Sequence, residues 1–127
     1  MSTETKKEEL LRLTPYDLPG MDDSRRYLTV SLGEKVIGYV QMTQIDLNMK
    51  KGCFSVEITD RNERGKGYGT KAVGLVKDYA VKVLGLSLLA TIVGSEDAVS
   101  CHILEKQGFI CFAKQNGCCY YVIGGLC

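Results

Sequence analysis

The sequence has no run of about 18 apolar residues, so it contains no segment typical of a transmembrane helix. Its first nine residues lack the apolar stretch of a signal peptide, and we therefore expect a cytoplasmic protein. Charge of neither sign dominates, because 16 Lys and Arg residues against 15 Asp and Glu residues give a net charge of +1. This balance gives no electrostatic reason to expect nucleic acid as a partner, and we expect no membrane partner either.

The usual signs of a metal site are missing too. The chain has one histidine, His102, and none of its six cysteines forms a Cys-x-x-Cys pair. We expect no bound metal and interpret the cysteines as small hydrophobic residues or free thiols. They are Cys53, Cys101, Cys111, Cys118, Cys119 and Cys127.

With 127 residues, the chain has the length of a single domain, and we expect one domain over 1–127 with 1–8 frayed. Alternation and turn signals predict strands, and a stripe of apolar residues at helical spacing predicts a helix from Thr70 to about Gly85. The predicted strands are 10–13, 27–32, 36–47, 53–58, 86–93, 110–113 and 118–123. The first should stop at Thr14-Pro15, and the apolar run 86–93 should be buried on both faces. A second helix should begin near Ser95 or Asp97 and end at Gln107.

A glycine-rich basic loop precedes the first predicted helix. Gly65, Gly67 and Gly69 allow close approach of a ligand to the backbone, and a helix start leaves N–H groups unpaired. Arg64 and Lys66 add positive charge, so the pattern predicts an anion site. The alternative is a glycine-rich connection without a ligand. A dinucleotide-binding fingerprint fits only loosely, because no acidic residue follows at the required spacing, and no Lys-Ser/Thr pair completes a Walker loop.

Two segments resemble the GCN5-related N-acetyltransferase family, most closely the ribosomal-protein and polyamine acetyltransferases. They are Arg64-Gly-Lys-Gly-Tyr-Gly69 and Asp97-Ala-Val-Ser-Cys-His-Ile-Leu-Glu-Lys-Gln-Gly-Phe109. The resemblance covers roughly residues 35–125. It implies a single α/β domain with a mixed, mostly antiparallel, splayed sheet, helices on its faces, and N-terminal helices that are shortened or absent.

The resemblance also implies acetyl-CoA as the acyl donor, held in the splay between strands 53–58 and 86–93. The pantetheine would contact the backbone near Ile58, and an N–H there would polarise the acetyl carbonyl. Asp97 and Lys106 join the implied cofactor set, although Asp97 could instead cap its helix. The residues implied to hold the pyrophosphate are Arg64, Gly65, Lys66, Gly67, Tyr68, Gly69 and Thr70.

The implied reaction is direct attack of a primary amine on the acetyl group, which requires a proton acceptor near the cleft. Glu57 is the candidate base, and an ordinary surface glutamate is its alternative. Leu104 occupies the position where many family members carry a tyrosine that acts as general acid. The leaving thiolate would therefore take a proton from Ser100 or from a water, or would need no acid at all. Of Tyr120 and Tyr121, one should be in the core and the other could line the acceptor cleft.

The short segment between Thr14 and Arg26 leaves no room for the family's two covering helices. We therefore expect an open acceptor side, suited to a protein N-terminus or lysine better than to a very small amine. The alternative function is a non-catalytic acyl-CoA-binding or regulatory domain. A homodimer that completes the acceptor site is a further possibility.

Overall fold

The computed structural model describes residues 10–126, and the predicted frayed segment 1–8 and Cys127 lie outside them. Seven strands form one sheet, and two helices follow its fourth and fifth strands. The strands are β1 (Leu11–Tyr16), β2 (Arg26–Leu32), β3 (Lys35–Asp46), β4 (Lys51–Ile58), β5 (Leu88–Gly94), β6 (Ile110–Gln115) and β7 (Cys118–Ile123). The helices are α1 (Tyr68–Lys82) and α2 (Ala98–Lys106). Neither is long and apolar enough to cross a membrane.

The strand order is β1-β2-β3-β4-β5-β7-β6, and all neighbours are antiparallel except β4 and β5. Helix α1 makes the crossover that a parallel pair requires. This arrangement confirms the mixed, mostly antiparallel α/β sheet expected from the sequence.

Both helices lie on one face of the sheet, which we call the helix face. Helix α1 buries Ala72, Val73, Val76 and Ala80 there, while Val83, expected on the same stripe, is exposed as the C-terminal cap. Helix α2 buries Leu104, and Phe109 after it lies with its ring centroid 5.6 Å from that of Phe54. Burial of each large side chain stabilises the folded state by about 1.5–3 kcal/mol. The side chains between the helices and the sheet make up most of the core. Its largest members from the sheet are Tyr121, Leu28, Ile37, Met42, Leu89, Val30 and Val40.

The opposite face, which we call the open face, is not covered by any described helix. In β5, Leu89 and Thr91 are buried whereas Leu88 and Ile92 are exposed. The prediction that this strand is buried on both faces was therefore wrong. Residues 17–25 join β1 to β2 by turns without a helix, which confirms that the N-terminal helices are absent from the described chain.

The first strand also differs from its prediction, because it continues through Pro15 to Tyr16. Proline lacks an N–H, but an edge strand needs its donors on one side only. Among the strands of residues 10–126, β1 is the sheet's edge and pairs only with β2. Helix α1 likewise begins at Tyr68, two residues before the predicted start.

Candidate functional site

Strands β4 and β5 pair over a short distance and then separate. Their backbones are in register only from Lys51 opposite Leu88 to Cys53 opposite Ala90. At the next residue the contact is made by a side chain, because the Thr91 hydroxyl donates to the Phe54 carbonyl at 2.6 Å. Beyond this bond the remaining half of β4 turns away from β5. The result is the splay that the family resemblance implied.

The connection from β4 to α1 lies at the open end of this splay. A 3-10 turn, Arg61–Glu63, is capped by Asp60, whose carboxylate accepts from the Asn62 N–H at 2.9 Å. Gly65 and Gly67 then have φ values of 77° and 85°, a left-handed conformation that glycine adopts at little cost. A Cβ at either position would have no heavy-atom neighbour within 4 Å. The loop therefore leaves open space beside the backbone.

Helix α1 starts at the end of this loop. Its first helical bond runs from the Lys71 N–H to the Gly67 carbonyl at 3.2 Å. The N–H groups of Tyr68, Gly69 and Thr70 come before that bond and have no acceptor within the helix. These donors and the helix dipole favour an anion. The loop and helix start therefore have the features of an anion site, and binding of a pyrophosphate there stays a prediction.

The two cations of the loop are partly engaged by the protein itself. Lys66 Nζ lies 2.8 Å from Glu63 Oε1, and Lys35 Nζ lies 3.3 Å from Glu63 Oε2 and 3.1 Å from Asp60 Oδ2. The hydrogen bond from Lys66 lowers the pKa of the Glu63 carboxyl, and the bond from Lys35 lowers the pKa of Asp60. Arg64 donates from Nε to the Ile58 carbonyl at 2.8 Å, which ties the loop to β4.

Helix α2 begins with a built cap. Asp97 accepts from the Ser100 N–H at 3.0 Å with one oxygen and from the Ser100 hydroxyl at 2.7 Å with the other. The Ser100 hydroxyl bond is the main reason that the pKa of Asp97 is lowered. The capping alternative for Asp97 is thus observed, and the Ser100 proton points to a carboxylate. Leu104 is buried in the core, and Lys106 lies exposed in the last turn.

The C-terminal end of α2 contacts the start of α1, which follows the phosphate loop. Gln107 Nε2 donates to the Thr70 carbonyl at 2.9 Å, and Lys77 Nζ donates to the Gln107 carbonyl at 2.7 Å. A Cβ on Gly69 would lie 3.0 Å from Ile103 Cδ1. The sequence did not identify Gln107 as a site residue. The available signal for Gln107 was only that a polar side chain lies next to the glycine at the end of the helix.

Glu57 and Ile58 stand on opposite faces at the end of β4. Glu57 is exposed on the open face, on the same side as Ser55, and its backbone pairs with Tyr39 of β3. Ile58 is half-buried on the helix face, and its carbonyl is the acceptor for Arg64. The predicted base and the predicted pantetheine contact therefore lie at the separating end of the strand.

A cleft of about 420 Å³ opens on the open face where the strands part. We call it the sheet cleft. Strands β3 and β4 contribute Gln41, Thr43, Gln44, Cys53, Phe54 and Ser55. The other side is formed by Ala90, Thr91, Ile92, Phe112 and Tyr120.

Tyr120 faces this cleft and Tyr121 is buried in the core, where its hydroxyl donates to Glu105 at 2.7 Å. This outcome agrees with the expected division between the two tyrosines. The sequence missed Thr91, although it is the only hydroxyl residue in β5. It also missed Phe112, which alternation alone could not assign.

Comparison with known proteins decides the family. The sequence pattern that defines the acetyltransferase (GNAT) family matches residues 2–109. The chain belongs to this family. The resemblance noted in the two loop and helix motifs is thereby confirmed.

Curated GNAT relatives include the spermidine N(1)-acetyltransferase of Escherichia coli strain K12, which is 33% identical over 94 residues. That alignment covers 74% of this chain and 50% of the relative. The probable N-acetyltransferase YjcK of Bacillus subtilis strain 168 is 36% identical over 76 residues, which are 60% of this chain and 42% of YjcK. The chain therefore spans about half the length of the curated relatives it matches.

Solved structures confirm the GNAT fold. Campylobacter jejuni N-acetyltransferase PseH in complex with acetyl coenzyme A superposes with a TM-score of 0.73 at 19% identity, covering 81% of this chain and 70% of PseH. The Vibrio cholerae spermidine N-acetyltransferase in complex with CoA and spermine gives a TM-score of 0.74 at 23% identity. That match covers 82% of this chain and 68% of the Vibrio protein.

Proposed function

We propose that this chain transfers an acetyl group from acetyl-CoA to a primary amine. The observation that supports the proposal best is the coincidence of two features at one edge of the sheet. Strands β4 and β5 part after Cys53 and Ala90, and the glycine loop with the start of α1 lies at the open end of that gap. A pyrophosphate on the helix start would direct the pantetheine along the unpaired edge of β4.

Each residue of the predicted site takes a stated part in this proposal. The backbone from Arg64 to Thr70 would bind the pyrophosphate, and the backbone near Ile58 would bind pantetheine amides. Arg64 and Lys66 would add charge to the loop, although each has a protein partner. Lys106 would meet the cofactor from the last turn of α2. For Asp97 we propose a structural part, because both its carboxylate oxygens accept from Ser100.

Acetyl-CoA would supply an activated thioester. For the chain's own residues we propose that Glu57 accepts the proton that the amine must lose, through a water molecule. The neutral nitrogen would attack the acetyl carbonyl carbon, the C–S bond would break, and the CoA thiolate would leave and take up a proton. Ser100 is the predicted donor of that proton. It would first have to leave Asp97, so solvent is the simpler source, and the low pKa of a thiol makes this sufficient.

Binding of CoA to the phosphate loop can be tested with a pair of glycine variants. Gly67→Ala and Gly117→Ala both place a Cβ at a positive φ with no neighbour within 4 Å, so their folding costs should match. Only Gly67 lies in the loop, whereas Gly117 lies in the β6–β7 turn. We expect calorimetry to show CoA affinity reduced about tenfold in Gly67→Ala and unchanged in Gly117→Ala. Equal affinities in the two variants would argue against the loop as the CoA site.

A non-catalytic acyl-CoA-binding domain is the second candidate. Two observations favour it: Leu104 is buried in the core at the position of the usual acid, and Ser100 is bonded to Asp97. Acetyl-CoA-dependent thiol release with a panel of amines and peptides separates the candidates. Turnover that is lost in Glu57→Gln, with CoA binding retained, supports the enzyme. CoA binding without turnover on any amine supports the second candidate.

We also propose that the chain self-associates. The open face exposes apolar side chains outside the sheet cleft, such as Tyr39 and Leu88, and one Vibrio relative forms a dodecamer. Light scattering in solution tests this, and a monomer at all accessible concentrations would refute it.

A further inference from the structure

The sheet cleft is built from local departures from regular strand geometry. In β3 the register shifts between Thr43 and Asp46, and Gln44 there has a φ of 52°. A left-handed conformation is uncommon in a residue with a side chain, and such outliers concentrate at functional sites. This bulge turns Gln44 into the cleft wall. Ordinary alternation would not have given that arrangement.

A second bulge lies across the cleft, in β6. The register shifts between Cys111 and Ala113, so Phe112 is the extra residue and Ala113 pairs with Tyr120. The ring centroid of Phe112 lies 6.1 Å from that of Tyr120, at an interplanar angle of 60°. Bulges near sites commonly redirect a side chain. Here the bulge brings two aromatic rings together on one wall of the cleft.

The described walls carry no charged side chain. Gln41, Thr43, Gln44 and Ser55 are neutral hydrogen-bonding groups, and burial raises the pKa of the Cys53 thiol, which keeps it protonated. The other wall is apolar and aromatic. An amine with several positive charges would lose hydration in this cleft without gaining a carboxylate, whereas an apolar body would bury its surface against the rings.

We propose that the acceptor is a small primary amine with one positive charge and an apolar or aromatic body. The body would pack on Phe112 and Tyr120, and the amino group would point to the splay, toward the end of β4 where Glu57 stands. This inference rests on the proposed acetyltransferase function. It assigns this chain a different acceptor class from the polyamines in the names of its relatives, and it replaces the protein N-terminus or lysine that we expected from the sequence.

The direct test compares four acceptors with the intact chain: phenethylamine, spermidine, glucosamine and a short lysine peptide. We expect kcat/KM for phenethylamine to exceed the other three at least about tenfold, the discrimination that an apolar pocket achieves. A higher value for spermidine, glucosamine or the peptide would overturn the proposal.

A binding measurement that needs no turnover distinguishes failure of the acceptor assignment from failure of the proposed acetyltransferase function. Calorimetric titration of phenethylamine into the CoA-loaded protein should give saturable binding, with spermidine at least about tenfold weaker. Binding of phenethylamine without turnover of any amine would reject the acetyltransferase function and keep the assignment of the cleft. Absence of phenethylamine binding would overturn the assignment itself.

Matched variants locate the effect in the cleft. Phe112→Ala and Ile110→Ala both remove an exposed apolar side chain from β6, but only Phe112 lines the cleft. We expect phenethylamine affinity to fall about tenfold in Phe112→Ala alone, with CoA affinity unchanged in both. Equal losses in the two variants would contradict the proposed aromatic wall.

A change of charge without a change of shape provides the reciprocal test. Gln41→Glu adds a carboxylate in the cleft, and Gln115→Glu adds one at the exposed end of β6. The ratio of spermidine to phenethylamine turnover should rise about fivefold in Gln41→Glu and stay constant in Gln115→Glu. A constant ratio in both variants would show that the cleft does not meet the acceptor.

Discussion

The bond between Thr91 and Phe54 gives the sharpest test of how the splay is held. Thr91 is 5% exposed, and its hydroxyl lies 2.6 Å from a carbonyl of the neighbouring strand, one residue beyond the last backbone pair. Thr91→Val preserves the shape of the side chain and removes the donor. The Phe54 carbonyl would then be buried without this partner, which costs about 1–3 kcal/mol. We expect the free energy of unfolding to fall by about 2 kcal/mol.

Thr29→Val is the matched control, because Thr29 also donates to a carbonyl of a neighbouring strand. Its hydroxyl lies 3.4 Å from the Thr14 carbonyl, in a half-buried position between β1 and β2. A long and partly solvated bond contributes little, so this variant should lose less than about 0.5 kcal/mol. Urea unfolding followed by circular dichroism measures both values. A Thr91→Val protein as stable as wild type, or a control that loses as much, would refute the reasoning.

The same two variants, Thr91→Val and Thr29→Val, separate an effect on stability from an effect on the geometry of the site. If the Thr91 bond fixes where β4 and β5 part, CoA should bind Thr91→Val about three- to tenfold more weakly, because pantetheine would meet a less ordered strand edge. Binding is measured under conditions where both variants are fully folded. Unchanged CoA affinity in a destabilised Thr91→Val would limit the bond to a structural part.

Two further changes test the neighbouring parts of the site. Gly38→Ala should lower the free energy of unfolding by about 1–3 kcal/mol and weaken CoA binding, because its Cβ would overlap the Glu57 carbonyl and lie 3.0 Å from Ile58 Cα. The control Gly94→Ala should do neither, because its Cβ would have no heavy atom within 4 Å. Chemical unfolding and calorimetry measure the two effects, and equal effects in the two variants would contradict the clash. Asp60 and Glu63 have folded pKa values below their unfolded ones, so the stability they provide is present above the unfolded pKa and is lost as pH falls through the folded pKa. Glu63→Gln should therefore reduce the fall in the free energy of unfolding as pH is lowered, whereas Glu34→Gln, at an exposed position, should leave this fall unchanged. Urea unfolding at a series of pH values measures both. Identical pH dependence in the two variants would contradict the ion-pair argument.

The sequence predicted the fold class, every strand and both helices, because alternation, helical spacing and turn chemistry agreed along most of the chain. The predicted burial of both faces of β5 was wrong, since the run 86–93 looks the same whether one or both faces are covered. Burial on the open face depends on what other parts of the chain lie there, and no local pattern records that. The end of β1 was predicted wrongly because a proline ends a strand only where neighbouring strands pair on both sides, and Pro15 lies in an edge strand.

The two proposed parts of the site could be predicted from the sequence to different extents. The proposed phosphate site depends on local residues, since glycines, cations and a helix start lie within ten positions, and a candidate loop could therefore be located before the fold was known. The sheet cleft, our proposed acceptor site, is formed by β3, β4, β5, β6 and β7, and its shape comes from bulges at Gln44 and Phe112. Bulges depend on the register of two strands, so a single strand's sequence does not specify them. On this reasoning, a change of acceptor would need no change in the phosphate loop. The proposed phosphate site needs mainly backbone donors, whereas the proposed preference of the cleft depends on a few side chains that substitution changes one at a time.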